Sequence, residues 1–564
     1  MLSRTRSTFF VTTICRRSSF LRGYSTIHDA EDRDVVIVGG GPAGLALASA
    51  LGSSQAVRKS LKMTVVDAGD LSKIENWSMD GDEFSNRVSS LTNGSIQFLK
   101  GAGAWDRVEQ SRTCAIEEMQ VWDGVSDARI TFSAADLPLQ AQEMSRMTEN
   151  LNLQRGLLKH LSQIPEIQLL DNVRVTTIGK EDGANGWSLV SLSNGQTFRT
   201  RLLVGADGPN SPVRAFAGIT THGWAYDTHA VVATLSHAPR APFQPPNTTA
   251  YQRFLPTGPI AFLPLSATES SMVWSTKPAL AAALKSIDPS ALANFVNAAF
   301  RLPEVSIRYL HDLLLSSVAS RKTLTADEAL EEIQWRERSH NISTTSAYSS
   351  ALSTGEVGIP PEGSESLPPL VTSIQSGTVA SFPLRYSHAD TYIADGGRVV
   401  LVGDAAHTVH PLAGQGLNAG LADVQVLAQT IETALLQGGD IGSRTALLPY
   451  TRARWLENHK ILAAVDKLHK LYSTTLPPVV WARSVGLEVI NELDTIKAAL
   501  MVTAGGGGGG SRMHGGAWGW DVAAKSLENL DTVANAAKVA GSGLVNVVGA
   551  GLQQLGNAFS QNRR

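Results

Sequence analysis

A glycine-rich turn near the start of the chain constrains the fold more than any other feature of the sequence. The apolar run 34–38 leads into Gly39-x-Gly41-x-x-Gly44, a stretch of small residues typical of a helix follows, and a second apolar run covers 63–67. This order predicts a strand, a tight turn, a helix and a second parallel strand, which is the βαβ unit of a doubly wound sheet. The sequence therefore predicts an α/β protein with a Rossmann-like domain.

Each glycine of this turn has its own role in holding a dinucleotide. Gly39 permits the tight turn, Gly41 lets the backbone approach a pyrophosphate, and Gly44 lets the helix pack closely on the strand. The start of the helix offers free N–H groups to the phosphates. Asp67, at the end of the second strand, is placed to accept hydrogen bonds from ribose hydroxyls. The motif predicts a dinucleotide but does not by itself distinguish NAD from FAD.

A second acid-bearing turn follows the apolar run 202–205. Asp207 and Gly208 stand in the segment 205–211, which reads Gly-Ala-Asp-Gly-Pro-Asn-Ser. An acid at a strand end followed by Gly-Pro is typical of a turn, and alone it is better explained as a structural turn than as a ligand site.

A third motif occupies 403–418. An apolar strand delivers Asp404, whose carboxylate can hold a ribityl hydroxyl. A turn at Gly414 and Gly416 then opens a helix that has Asn418 in its first turn. The positive end of a helix dipole is useful beside a reduced flavin, which carries negative charge. This motif favours FAD over NAD.

The three motifs, in this order and at this spacing, resemble the class A flavoprotein monooxygenases, in which the second and third are the DG and GD motifs. The segment 87–91 also resembles the stretch beside the isoalloxazine ring, and Gln154 stands where that family has a contact near the adenosine or pyrophosphate. The resemblance covers about 33–505 and implies FAD as the cofactor. It assigns cofactor contacts to Gly39, Gly41, Gly44, Asp67, Arg87, Gln154, Asp207, Gly208, Asp404, Gly414, Gly416 and Asn418.

Within this class, the segments 410–418, 251–259 and 382–384 are similar to those of the ubiquinone-biosynthesis hydroxylases. That branch implies transfer of one oxygen atom of O2 to the ring of a polyprenylated benzoate or phenol, at the 5-position. It also implies association with a ubiquinone-biosynthesis protein complex and peripheral contact with the inner mitochondrial membrane on the matrix side. The electrons come from a ferredoxin with its reductase or from NAD(P)H, and the sequence does not decide between them.

The expected chemistry is carried by the flavin, so no catalytic triad or metal ligand set is predicted. Arg87 and His410 are the candidate catalytic side chains, although histidines in such a motif are more often structural. An apolar substrate needs apolar walls. The candidates, each of which is individually better explained by core packing, are Phe254, Phe262, Trp274 and Phe382.

Two other functions stay open at this point. The chain can be a class A hydroxylase of a soluble aromatic compound, such as a phenol or kynurenine. It can also be a non-catalytic protein on the same scaffold, like the Rab-escort and GDP-dissociation-inhibitor proteins. The intact Asp404 and the complete turn at 414–418 argue against the second alternative.

The amino-terminal residues 1–24 differ from the rest of the chain. They contain five arginines, many Ser and Thr, and no acidic residue. This composition predicts a mitochondrial presequence. The whole chain has a net charge of -3, which gives no basic field for nucleic acid. Only two cysteines are present, Cys15 and Cys114, so no disulfide framework or cysteine zinc site is expected.

The distribution of motifs and composition predicts the following organisation. A substrate domain with an antiparallel sheet interrupts the cofactor domain, and no segment is apolar enough to cross a membrane. The expected parts are a presequence at 1–24, an FAD domain at 33–220 and 391–470, a substrate domain at 221–390 with an insertion at about 306–375, C-terminal helices at 471–504, and a glycine linker with an extra tail at 505–564.

Overall fold

The computed structural model describes residues 30–77, 83–137, 142–183, 186–240, 246–322, 324–340, 367–411 and 414–492, with Lys497 and Met501. The expected presequence at 1–24 and the glycine linker and tail at 505–564 lie outside the described residues. So does 341–366, which makes up most of the low-complexity part of the expected insertion.

The described residues form nineteen strands and thirteen α-helices. The strands are β1 (Glu31–Val38), β2 (Met63–Val66), β3 (Val88–Thr92), β4 (Thr113–Ile116), β5 (Glu118–Asp123), β6 (Arg129–Ser133), β7 (Ser145–Glu149), β8 (Ile167–Leu170), β9 (Val175–Lys180), β10 (Ser188–Leu192), β11 (Thr197–Gly205), β12 (Thr221–His237), β13 (Thr249–Leu255), β14 (Gly258–Pro264), β15 (Glu269–Thr276), β16 (Val371–Ile374), β17 (Ala380–Ala389), β18 (Val399–Leu401) and β19 (His407–Thr408). The helices are α1 (Pro42–Ser53), α2 (Gln55–Ser60), α3 (Leu71–Glu75), α4 (Asn93–Gly101), α5 (Asn150–Leu161), α6 (Pro212–Phe216), α7 (Pro278–Ser286), α8 (Pro289–Arg301), α9 (Glu304–Ala319), α10 (Ala326–Ser339), α11 (Gln415–Leu436), α12 (Arg444–Tyr472) and α13 (Pro477–Asn491).

The first sheet is built on parallel strands in the order β8-β2-β1-β11, with β18 also parallel to β11 and the antiparallel strands β10 and β9 at the far edge. Its central strands are continuous apolar runs because helices cover both faces. Ile37 and Leu203 are fully buried, and burying such a side chain contributes about 1.5–3 kcal/mol. In this sheet the three strands that precede the motif turns, β1, β11 and β18, lie side by side.

The second sheet has nine strands and is mostly antiparallel, in the order β19-β17-β12-β15-β14-β13-β5-β6, with β16 paired to β12. Side chains alternate between its two faces. One face packs against α7, α8, α9 and α10 through a large apolar cluster. The other face is turned towards the motif-bearing segments. On that face Phe254 clusters with Val409 of the third motif, and Ala250 clusters with Val88.

The expected domain boundaries differ from this topology in two places. The ranges 33–220 and 391–470 are predicted for the cofactor domain, but β5 and β6 belong to the second sheet, where β5 pairs in parallel with β13, and so does β19, which pairs with β17. A pairing between strands so far apart in sequence leaves no local pattern, so composition does not reveal it. A separate three-stranded sheet, β3-β7-β4, connects the two parts.

The described part of the expected insertion is an integral layer of the substrate domain. Leu310 and Leu314 of α9, Ile333 of α10 and Val371 of β16 are all buried in the cluster beneath the second sheet. The capping box formed by Thr325 and the first turn of α10 fixes where that helix begins.

The C-terminal helix α13 is anchored to the second sheet by a buried ion pair. The Arg483 guanidinium donates two hydrogen bonds to the Asp123 carboxylate at 2.9 and 2.8 Å, and it also donates to the carbonyls of Leu471 and Thr474. Within the described ranges, no helix combines the length and the apolar character that a membrane span requires.

Candidate cofactor and active site

The glycine turn after β1 has two glycines fixed by packing and one that faces open space. Gly39 has φ +112°, and a Cβ there would lie 2.2 Å from the Ala206 carbonyl oxygen. A Cβ on Gly44 would lie 1.9 Å from the Gly39 carbonyl oxygen, whereas one on Gly41 would meet no atom within 4 Å. The open space above Gly41, at the start of α1, is the kind of place that suits a pyrophosphate.

Asp67 and Gln154 both hold the middle of this turn. Asp67 accepts the Gly40 N–H at 2.5 Å with Oδ2 and the Gly69 N–H at 2.6 Å with Oδ1. Gln154, on α5, donates to the Gly40 carbonyl at 3.2 Å. Each Asp67 oxygen keeps a second lone pair that can accept from a ribose hydroxyl. Both residues therefore lie where the sequence placed the nucleotide end of the cofactor.

Asp207 lies next to the glycine turn, because Gly205 at the end of β11 is the register partner of Val38. Its Oδ2 accepts the Val213 N–H at 3.1 Å, whereas Oδ1 is buried and has no hydrogen-bond partner among the described residues. Burial raises the pKa of the Asp207 carboxyl above its ordinary value. Gly208 follows with φ +82°, a conformation that glycine adopts at little cost.

Asp404 is brought to the same place from the far end of the sequence. A Cβ on Gly403 would lie 3.4 Å from the Cβ of Ala43, in the first turn of α1. No hydrogen bond reaches the Asp404 carboxylate from any described residue, and its side chain is open to solvent on one side. Protein surrounds it on the others, and this desolvation raises its pKa while His407 opposes the rise. Asp404 is thus a carboxylate in a recess without a protein partner.

Arg214 connects the DG and GD motifs directly. Its Nη1 donates to the Ala405 carbonyl and its Nη2 to the Pro209 carbonyl, each at 2.7 Å. No local pattern predicts a role for Arg214, although it stands shortly after the DG motif. An arginine that bonds two backbone carbonyls in two motifs fixes their separation.

The helix α11 begins at the third motif. Gly414 precedes it with φ +60°, and a Cβ on Gly416 would come within 3.5 Å of the Val409 side chain. Residues 412 and 413 lie outside the described part of the chain. The free N–H groups of this first turn provide partial positive charge at the edge of the recess.

The Asn418 side chain is fully used by the protein. Its Nδ2 donates to the carbonyls of Ser90 and Gly414, and its Oδ1 accepts from the Thr92 N–H and the Ser95 hydroxyl. These four bonds exhaust the capacity of an amide side chain for two donors and two accepted bonds. They hold the start of α11 against β3, so a contact between Asn418 and a cofactor falls to its backbone.

A buried polar network behind the GD turn was not anticipated from the sequence. Asp423 is fully buried and lies 2.6 Å from His407 Nε2. It also accepts from Arg454 and Asn458 at 2.9 Å each, and from the Gly403 N–H at 3.2 Å. A signal existed, because an acidic residue in the apolar run of α11 needs a partner when it is buried. His407 is therefore a structural hydrogen-bonding residue.

The two candidate catalytic side chains differ in exposure. Arg87 is exposed, and its carbonyl accepts the Asn150 N–H at the start of α5. His410 is buried, with its ring centroid 5.2 Å from that of Tyr226 and 4.9 Å from that of His469. Burial, with a smaller effect of His469, lowers the pKa of His410 to about 3. A ring with that pKa is neutral at pH 7 and is a weak base, which favours a packing role.

Strand alternation decides where the candidate aromatic residues point. Phe262 and Trp274 are fully buried on the helix-covered face, where Phe262 contacts Phe300 edge-on and Trp274 packs near His311. The expectation that these two aromatic rings wall a substrate recess is not met, because they point away from the cofactor motifs. They are core residues of the substrate domain.

Phe254 and Phe382 lie on the opposite face. Phe254 is stacked on Tyr472 with ring centroids 4.0 Å apart, which leaves it only 4% exposed. Phe382 is the register partner of Ala230 and is 44% exposed. Of the four aromatic candidates, Phe382 is the one whose ring is accessible.

A row of four uncharged residues crosses the middle of this face. Val232, Val273, Ala261 and Gln252 are successive register partners across β12, β15, β14 and β13. Val273 and Ala261 are only half-buried, although they lie at the centre of a sheet. Helices α12 and α13 cover the face on one side and the β3-β7-β4 sheet borders it on the other. The row is therefore a partly open, uncharged wall.

Together these residues fit FAD. The recess joins an open glycine turn, three carboxylates with unused acceptor capacity and the start of a long helix. It spans segments from three distant parts of the chain, as a cofactor with a nucleotide end and a flavin end requires.

Comparisons with known proteins agree with this geometry. Residues 32–307 and 367–462 match the family model described as an FAD binding domain. Among solved structures, a probable FAD-dependent monooxygenase from Pseudomonas aeruginosa has a TM-score of 0.55 at 21% identity, covering 81% of this chain and 99% of that protein. The p-nitrophenol 4-monooxygenase of Pseudomonas putida has a TM-score of 0.57 at 16% identity, covering 84% and 97%. The protein is thus an FAD-dependent monooxygenase with a class A flavoprotein monooxygenase fold.

The sequence relatives narrow this class. The chain is 39% identical over 508 residues to the mitochondrial ubiquinone biosynthesis monooxygenase COQ6 of Saccharomyces cerevisiae, covering 88% of this chain and 98% of the yeast protein. It is 36% identical over 490 residues to the human protein of the same name, covering 84% and 92%. The chain belongs to the COQ6 family of ubiquinone biosynthesis monooxygenases.

Family membership settles several expectations. FAD as the cofactor, the monooxygenase class and the resemblance to the ubiquinone-biosynthesis branch are confirmed. The names of the relatives carry a mitochondrial location, which this family member shares. The alternative of a non-catalytic escort-type protein is excluded by the same comparisons.

Proposed function

We propose that this enzyme hydroxylates the aromatic ring of a polyprenylated benzoate or phenol, at the ring 5-position, during ubiquinone biosynthesis. One atom of O2 becomes the new ring hydroxyl and the other leaves as water, with two electrons and two protons supplied by a reductant. The observation that carries the proposal is the uncharged, half-open wall formed by Val232, Val273, Ala261 and Gln252 beside the cofactor motifs.

This wall suits a prenylated ring better than a small polar aromatic. A soluble phenol or acid is usually held by charged side chains, and none of the four residues in the row carries a charge. Apolar contact also contributes roughly 25 cal/mol per Å² of surface removed from water. A prenyl chain can therefore gain affinity here without specific polar contacts, and exposed Phe382 extends the apolar surface at the edge of the sheet.

Under this proposal, the residues of the recess hold FAD along its length. The turn at Gly41 and the start of α1 receive the pyrophosphate, and Asp67 with Gln154 lies at the nucleotide end. Asp207, Asp404 and the segment around Arg87 contact the remainder. Backbone atoms of Gly208, Gly414, Gly416 and Asn418 make further contacts with the cofactor. Bound FAD supplies the redox chemistry by taking electrons from the reductant and activating O2.

The protein itself supplies position and electrostatics. The start of α11 offers uncompensated N–H groups where negative charge develops on a reduced cofactor. Buried, neutral His410 and its aromatic neighbours Tyr226 and His469 contribute an environment with little water. The second sheet positions the ring, and α12 with α13 limits access to it.

We further propose that the enzyme works at the matrix side of the inner membrane, as a peripheral protein in a complex with other enzymes of the pathway. Residues 1–24 direct import. Exposed Leu476 and Trp481 on and beside α13 provide apolar surface for such contacts. A ferredoxin with its reductase, or NAD(P)H, is the electron donor, and anaerobic loss of the yellow flavin colour with each reductant distinguishes them.

The domain organisation that accompanies this proposal keeps the discontinuous cofactor domain, 33–220 and 391–470, and the substrate domain, 221–390. The strands β5, β6 and β19 are assigned to the substrate domain instead, since they pair there. The C-terminal helices at 471–504 and the tail at 505–564 complete the chain.

The decisive test is the quinone profile of cells that lack the gene, measured by mass spectrometry. We expect ubiquinone to be lost and a prenylated intermediate that lacks the ring hydroxyl to accumulate. Wild-type protein should restore the profile, Asp404→Ala should not, and the exposed-surface control Asp182→Ala should restore it fully. A normal quinone profile in the deletion strain would rule out the substrate while leaving the flavin assignment intact.

A further inference from the structure

Three histidines from distant parts of the chain meet at the edge of the second sheet, outside the cofactor recess. His222 lies on β12, His388 on β17 and His459 on α12. Each presents one ring nitrogen, and the three nitrogens lie within 4.8 Å of one another. From this geometry we propose that the enzyme has a binding site for a divalent transition-metal ion of the zinc type, held by His222, His388 and His459.

The hydrogen bonds of two of these rings select one nitrogen each for a metal. His388 Nε2 lies 2.8 Å from the Tyr392 hydroxyl, so Nδ1 is the nitrogen that remains. That atom is buried and has no partner among the described residues. His222 Nδ1 lies 3.2 Å from Asp390 Oδ1, which leaves Nε2. A second partner that orients a ligating imidazole, often a carboxylate, is the usual surrounding of metal-bound histidine.

The third ring is also held in place with a nitrogen to spare. His459 stacks on Trp455 with the ring planes 2° apart, and its Nδ1 is buried without a partner in the described part of the chain. Each of the three histidines can therefore offer one ring nitrogen to an ion.

The site has a route by which an ion can enter from solvent. The His222 side chain is 43% exposed, so the cluster opens to solvent, whereas His388 is fully buried. Ligands of a shared zinc ion lie about 2.0–2.1 Å from it, so the nitrogens would move closer together on binding, and the exposed His222 side chain has the most freedom to do so. Three imidazole ligands and a water molecule suit zinc, copper or nickel better than calcium or magnesium.

Occupancy of this site is connected to the cofactor recess by a chain of hydrogen bonds. The Tyr392 hydroxyl, which bonds His388, also accepts from Asn458 at 3.1 Å. Asn458 donates to Asp423 at 2.9 Å, and Asp423 accepts the Gly403 N–H of the GD turn. The metal would therefore link β12, β17 and α12 at the point where they support the turn that carries Asp404.

The test uses the purified holoenzyme, with zinc chloride as the probe and calorimetry and elemental analysis as the readouts. Wild type should bind one zinc ion per chain. His222→Ala and His459→Ala should each bind zinc at least tenfold more weakly while keeping their flavin. His229→Ala, further along β12, is the matched control and should bind zinc like wild type.

A second variant separates ligation from a loss of folding. Asp390→Asn leaves all three histidines in place but removes the carboxylate beside His222, and we expect zinc affinity to fall about tenfold, in line with other outer-shell partners. Equal zinc affinity in wild type, His222→Ala and His459→Ala would overturn the proposal. So would the absence of saturable binding to wild type. Neither result would bear on the monooxygenase function.

Discussion

Two carboxylates, Asp404 and Asp423, lie on either side of the GD turn, and their surroundings are opposite. Asp404 faces the recess without a hydrogen bond from any described residue. Asp423, directly behind the turn, is fully buried and accepts from His407, Arg454 and Asn458 as well as from the Gly403 N–H. The first carboxylate has unused acceptor capacity and the second has none.

This difference distinguishes a carboxylate that is available to bind a ligand from one that stabilises the backbone of the turn. The Asp404 carboxylate is exposed, so water can satisfy it in the empty protein, and its acceptor capacity remains available to a ligand at the motif turn. A buried carboxylate with several donors stabilises the position of the backbone around it. Asp207 shows both behaviours, since one of its oxygens accepts from Val213 and the other has no partner in the described residues.

The largest expected effect follows from removing the supporting carboxylate. Asp423→Ala leaves the Arg454 guanidinium buried without its counter-ion, which costs about 3–5 kcal/mol of unfolding free energy. Urea denaturation of the apoprotein measures this loss. Wild-type stability in Asp423→Ala would show that the network does not support the turn.

Substitution of Asp404 should lower flavin affinity rather than apoprotein stability. Asp404→Ala removes a charge-assisted hydrogen bond to the cofactor, worth about 1.5–3 kcal/mol in flavin affinity, and leaves the apoprotein as stable as wild type. Flavin content after purification and the dissociation constant for FAD test this. A variant that retains flavin with wild-type affinity would contradict the assignment of Asp404 to the cofactor.

His311 tests whether an unpartnered buried atom always marks a ligand site. Its Nε2 is buried without a partner among the described residues, and no cofactor motif lies beside it in the sequence. Burial in α9 lowers the pKa of His311 from an ordinary 6.5 to about 4. The unfolded chain therefore binds a proton first, and stability falls as the pH drops from about 6.5 towards 4, by about 2 kcal/mol between pH 7 and pH 5. In His311→Leu this part of the pH dependence should disappear. An unchanged pH profile of the denaturation midpoint would show that another group causes it.

The sequence predicts the cofactor side of the molecule well, because its information is local. Gly39, Gly44 and Asp67 have roles that depend on a turn, a helix start and a strand end, all readable from neighbouring residues. The DG and GD motifs likewise lie at strand ends, and the comparisons confirm the fold and the cofactor that these motifs indicate.

The remainder depends on contacts between distant residues, which a single sequence does not display. The direction in which Phe262 and Trp274 point follows from the register of the second sheet, and β5 joins that sheet only through pairing with β13. The partners of Asp423 lie on a different helix and a different strand. Nothing in the local pattern around Asn418 shows that its side chain is hydrogen-bonded to the backbone of β3.

The side-by-side arrangement of β1, β11 and β18 has a consequence for how the enzyme matures. Val38 pairs with Gly205, and Gly205 in turn pairs with Leu401, so the recess is complete only when nearly the whole chain has found its place. Parallel strands that are far apart in sequence pair slowly, and their unpaired edges stay exposed in the folding intermediates. FAD stabilises only the finished arrangement, by mass action. The supply of flavin in the compartment where the chain folds therefore helps to determine how much of the newly made protein survives to become enzyme.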